Sequence, residues 1–177
     1  MIMPLISLQS PETAAKEVAE VFETFKPILG HVPTPLQLFG VSPALVQSMG
    51  TQMSYYFFQQ KELDPLMLTW IRYLNGRQLE CRFCIDMNAR FLLEMGVDQE
   101  TLEKGREDPG TIPLPDKEKA LLLFVLDALG DSHGIKRDSI DALMEIGYSE
   151  RTILEAVAYG AYSSYTNTVL NIFQVGE

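Results

Sequence analysis

The chain has 177 residues and a formal charge of −10, from 14 Lys and Arg against 24 Asp and Glu. Apolar residues make up 46% and charged residues 21%, which suits a packed core and excludes a disordered chain. The acidic balance argues against nucleic acid as a partner, since a basic surface supplies that affinity, and it disfavours an anionic membrane surface.

The longest clean apolar run, Ala120–Leu126, falls far short of the ~20 residues of a membrane span. Met1–Ser10 places no positive charge before its apolar residues, unlike a secretory signal. One domain, residues 1–177, in the cytoplasm is therefore expected.

Helical signals follow one another along the chain. Ser10-Pro11 predicts a first helix through Val18, Val21, Phe22 and Phe25, whose spacings of three and four form an apolar face ending at Pro27. Gly30, Pro33 and Pro35 mark a loop. Ser42-Pro43 opens a second helix through Val46, Met49, Met53 and Phe57, and Asp64-Pro65 a third, with Asn75-Gly76 as its stop. The next is expected from near Cys81 to Met95, closed by Gly96, and a short one from Asp98 to Lys104. Residues 106–115 read as a loop. Asp116 opens an apolar helix over Ala120–Leu129, and the Leu-rich run Leu121–Val125 fits this better than a strand. Lys136–Ile146 with Gly147 and a last helix from Ser149 toward Phe173 complete an all-α reading.

A faint repeat at an offset of 51 accompanies these elements. Glu94, Gly96 and Thr101 recur as Glu145, Gly147 and Thr152, and Asp98 answers to Ser149. This is either an internal helical duplication or two hairpins with the same capping chemistry. Cys81 and Cys84 answer to Ser132 and Ile135, so only the first half carries cysteines.

Cys81 and Cys84 are the only two cysteines, and two placed at random fall at this spacing roughly one time in ninety. A zinc site needs about four ligands, and only His31 and His133 are available beyond the pair; no metal or cofactor is expected. A structural disulfide over so short a loop would add little stability. Two inert buried cysteines remain a scaffold alternative. Redox work has a physical basis: at a helix start, unpaired N–H groups and the dipole favour a thiolate on Cys81, and Cys84 one turn on can resolve it. Arg82 adds positive charge, and Phe83 can shield a sulfur. Glu80 and Asp86 are candidate proton carriers, or simply solvated carboxylates at a helix start. Thiols open to reagent would favour redox work, and thiols sealed in apolar packing would favour the scaffold.

Leu63-Asp64-Pro65, Cys81-Arg82-Phe83-Cys84-Ile85-Asp86-Met87-Asn88 and Gly96-Val97, in this order and spacing, resemble the carboxymuconolactone decarboxylase/AhpD-like superfamily. Gly30-His31-Val32-Pro33, Ser42-Pro43 and Asn167 with Phe173-Gln174-Val175 extend the resemblance over about residues 30–175. It implies an all-α helical bundle, a homo-oligomer, and a C-x-x-C dithiol that reduces peroxides or disulfides and is recycled by a thiol reductant. The alternative it implies is a lyase acting on a small lactone or acid, in a branch that lacks the cysteine pair. Redox members usually carry His four residues after the second cysteine and Glu twelve before the first, as a proton relay; here those positions are Asn88 and Thr69. Asn88 can orient a water or a sulfur but cannot take a proton near neutral pH.

His133, in Gly130–Gly134, and His31 read as loop residues. Tyr55–Phe58 and the stripe Tyr159, Tyr162, Tyr165 exceed what one small core needs, so subunit contacts are expected. Light scattering at micromolar concentration should give a mass well above 19.9 kDa; a monomer would refute this.

Overall fold

The computed structural model describes residues 4–176; Met1–Met3 and Glu177, which the N-terminal and domain expectations include, lie outside them. Among the described residues there are nine α-helices and no strand, so the all-α reading holds. No helix there is long and apolar enough to cross a membrane. Contacts divide the chain into two compact units, one running to Gln60 and taking up Val169 onward, the other Lys61–Thr168.

The first unit holds α1 (Lys16–Leu29), α2 (Thr34–Phe39), α3 (Pro43–Ser54) and a π-helical turn, Tyr55–Gln59. α1 starts later than expected because residues near Ser10 form their own turn: Thr13 N–H donates to Ser10 O and Glu12 N–H to Ser10 Oγ. Val18, Phe22 and Phe25 are buried, as their spacing predicts. Gly50 of α3 lets the helices meet, since a Cβ there would lie 2.8 Å from Val21 Cγ1. Pro27 lies inside α1, and the helix ends instead at Gly30, with φ of 76°. The expected loop at Pro33 and Pro35 contains α2, because Pro33 caps it and Pro35 sits in its first turn, where no donor is missed. Gln60 N–H reaches Tyr55 O at 2.9 Å to close the π turn. This turn sets Phe57 and Phe58 against Phe25, with ring centroids 6.3 and 6.4 Å away.

The second unit holds α4 (Pro65–Gln78), α5 (Arg82–Glu94), α6 (Gln99–Glu107), a 3₁₀ turn (Pro109–Thr111), α7 (Asp116–Gly130), α8 (Arg137–Glu145) and α9 (Glu150–Ile172), whose last residues belong to the first unit. Asp64 caps α4 by accepting from Met67 N–H at 2.9 Å. Met67, Trp70 and Ile71 are fully buried along α4. Asn75, also buried, donates to Gly160 O at 3.2 Å and Ser164 Oγ at 3.0 Å, tying α4 to α9.

The offset of 51 carries the same local geometry twice. Gly96 and Gly147 adopt φ of 95° and 94°. Val97 N–H reaches back to Leu92 O, and Tyr148 N–H to Leu143 O. Asp98 then caps through Thr101 N–H and Ser149 through Thr152 N–H. The tyrosine stripe behaves differently. Each three-residue step falls about 60° short of a full turn, so Tyr159 is buried, Tyr162 half-buried and Tyr165 exposed.

Gly105 of α6 lies against the core, and a Cβ there would come within 2.7 Å of Ile112 Cγ1 and 2.9 Å of Trp70 Cη2. Gly105→Ala should therefore destabilise the protein by ~1–3 kcal/mol. Urea unfolding followed by circular dichroism checks this; an unchanged midpoint would contradict it.

Candidate active site

The cysteines stand where α4 turns back into α5. α4 passes through Asn75-Gly76, the expected stop, and continues to Gln78. Its end is made by Glu80, which adopts φ of 53°, while Cys81 N–H donates to Gly76 O at 2.9 Å and Glu80 N–H to Arg77 O at 3.1 Å. This left-handed capping position is usually filled by glycine. Gly76 serves packing instead: a Cβ there would lie 3.3 Å from Cys84 Cβ and 3.5 Å from Ile85 N.

Cys81 is the N-cap of α5, with extended backbone, and its carbonyl accepts from Ile85 N–H at 2.9 Å. Cys84 lies in the first turn, and the two sulfurs are joined in a disulfide with Cα atoms 5.2 Å apart. Both are buried, at 1% and 3% exposure. A surface pocket of about 260 Å³ opens at the end of α4 between Arg77, Gln78 and Arg106, over Leu74 and Leu126. Neither cysteine lines it.

The supporting residues named from the sequence separate into two groups. Glu80 and Asp86 are exposed, and Asp86, two residues beyond Cys84, is turned about 200° away from it around α5. Asn88 is 2% exposed and on the cysteine face, and its Nδ2 donates to Cys84 O at 2.7 Å. Its Oδ1 is buried and finds no donor among the described residues. Thr69 is buried, but its hydroxyl donates to Pro65 O at 2.8 Å and accepts from Arg72 Nη2 at 3.2 Å. It is thus engaged by its own helix. His31 and His133 are exposed. Among the described residues no group of three or more His, Cys, Asp or Glu could hold a metal ion.

Arg72 is a residue the sequence reading passed over. It is half-buried on α4, with its guanidinium 5.8 Å from the Phe91 ring centre and 6.0 Å from that of Tyr159. Its Nε is buried and finds no acceptor among the described residues. Burial raises the Tyr159 hydroxyl above its ordinary pKa, and Arg72 pulls the other way. The available signal was the single charged residue in the stretch Met67–Leu74.

No known family profile matches the sequence, and neither does any curated protein. Solved structures do match the fold. An AhpD-core, peroxidase-related protein from Ralstonia eutropha JMP134 superposes with a TM-score of 0.85 at 14% identity, covering 98% of this chain and 92% of that one. The chain has the AhpD-like fold. A peroxidase-related protein from Silicibacter sp. TM1040 shares it at a TM-score of 0.83 and 17% identity, over 97% and 90% of the two chains. The debrominase Bmp8 shares it at 0.75 and 18%, over 96% and 90%. The AhpD-like fold is thus retained at identities that carry only the fold.

Glu80 holds a conformation that costs a residue with a Cβ ~1–2 kcal/mol. Glu80→Gly should raise stability by about 0.5–1 kcal/mol after its added unfolded-state entropy, read as a higher urea midpoint. A lower midpoint would show that the Glu80 side chain makes a compensating contact.

Proposed function

We propose that the protein is a dithiol–disulfide oxidoreductase that reduces peroxides or small disulfides through Cys81 and Cys84. The observation that carries this reading is the bonded pair at the start of α5, in a fold shared with peroxidase-related proteins. A bridge across two intervening residues closes too short a loop to earn its place by stability. Chemistry is the better account of it.

In the reduced protein one cysteine thiolate attacks the O–O bond of a hydroperoxide, releasing an alcohol and leaving a sulfenic acid. The other thiol displaces water from that sulfur and forms the disulfide. A thiol reductant returns two electrons and two protons. The near-complete burial of both sulfurs restricts attack to small reagents or to moments when the first turn of α5 opens. It is also what the scaffold alternative expects, so slow exchange is part of the proposal. Glu80 and Asp86 face solvent, where either can exchange protons with water.

A homo-oligomer in the cytoplasm remains part of this reading. Leu154, Ala158, Ala161 and Tyr165 are exposed along one stripe of α9, which suits contact with a second copy. A cysteine-to-alanine variant of the debrominase Bmp8 was seen with 2,3,4-tribromopyrrole, so a halogenated heteroaromatic belongs beside peroxides among the substrates tried.

Peroxide consumption with dithiothreitol as reductant, together with thiol counting, tests the proposal. Wild type should turn over slowly, and replacing either cysteine by Ser should abolish turnover. Asn88→His should raise the rate ~10-fold or more by supplying a base, and more so with Thr69→Glu. Two titratable thiols after oxidant, with no peroxide consumed, would favour the scaffold.

A further inference from the structure

The amide of Asn88 is oriented without ambiguity. Its Nδ2 faces the Cys84 carbonyl at 2.7 Å, and a flipped amide would set two acceptors against each other. Oδ1 is therefore the atom turned into the packed interior, where it finds no donor among the described residues. A buried acceptor left in this state is costly. Asn88 follows Cys84 by four residues, so the two share one face of α5. Helical side chains lean toward the N-terminus, which lays the amide over the turn that carries Cys84.

A disulfide has no hydrogen to offer Oδ1, whereas a thiol has one. We propose that in the reduced protein the Cys84 thiol donates to Asn88 Oδ1, which holds Cys84 neutral as the resolving thiol and leaves Cys81 to make the attack. This inference rests on the dithiol reading above.

The backbone divides the two sulfurs in the same sense. Cys81 is the N-cap of α5, and its side chain accepts no capping hydrogen bond from the helix in the disulfide form. An N-cap side chain is placed to accept from the N–H groups two and three residues on, here Phe83 and Cys84. A Cys81 thiolate would take up those donors and cap the helix as an anion, favoured by the dipole. Cys84 lies within the first turn rather than at the cap, and the atom Asn88 has left to offer it is an acceptor.

Reduction follows the balance in which the protein disulfide and two reductant thiols give two protein thiols and one reductant disulfide. The unpaired Oδ1 burdens only the oxidised side, so Asn88 favours the dithiol. Asn88→Leu, of similar shape and without the acceptor, removes that burden.

Equilibration of the protein with reduced and oxidised glutathione, with thiol counting, measures the effect. Asn88→Leu should shift the equilibrium about tenfold toward the disulfide, equal to a midpoint about 30 mV lower. Asn88→Ala should shift it in the same direction and serves if the leucine variant does not fold. Limiting iodoacetamide on reduced wild type, read by peptide mass spectrometry, should label Cys81 first, and Asn88→Leu should bring the labelling of Cys84 closer to it. Unchanged or raised midpoints in the variants, or first labelling at Cys84, would overturn the proposal and leave the dithiol chemistry standing. Failure of wild type to form any disulfide would overturn both.

Discussion

The close approach of α4 and α5 at Gly76 is the contact on which the site depends. A Cβ at that position would crowd Cys84 Cβ at 3.3 Å and touch Ile85 N at 3.5 Å. With only a hydrogen there, the first turn of α5 settles directly on α4. Cys81 N–H then returns to Gly76 O, so the same residue that admits Cys84 also anchors the backbone of Cys81. Both cysteines are thereby sealed, and the chemistry available to them is set by the few polar groups sealed with them. Asn88 is foremost among these, because its amide holds the Cys84 carbonyl and presents an unanswered acceptor.

Much of the fold was legible in the sequence because capping chemistry is local. Asp64-Pro65, Asp98, Gly96, Gly147 and Ser149 end or begin helices where their side chains or backbone freedom dictate. Several of the misreadings arise because glycine and proline each serve two purposes. Gly76 looks like a stop but lies within α4, at a close approach across the hairpin. Glu80, with no such signature, makes the left-handed turn because the flanking helices impose it. Pro33 and Pro35 resemble a loop but satisfy the first turn of α2.

The site was legible in kind and less so in arrangement. Pairing and helix-start placement of the cysteines follow from their spacing. Burial does not, because it depends on what packs against α5 from α4. Asn88 and Asp86 are two residues apart, yet one is sealed beside Cys84 and the other faces water. Helical rotation decides that division, and it becomes predictable only once the start of α5 is fixed. Arg72 escaped notice because its partners, Phe91 and Tyr159, are distant in sequence.

Trp70, the single tryptophan, is fully buried on α4, edge-on to Tyr73 at 5.8 Å and against the backbone of Gly105. It lies about two turns from Gly76 on the helix that supports the disulfide. Tryptophan emission, excited selectively beyond the tyrosine band, therefore reports one place alone, the apolar seam between α4 and α6. Its wavelength will track the integrity of that seam without any added label, and loosening at the solvent-facing loops will leave it silent.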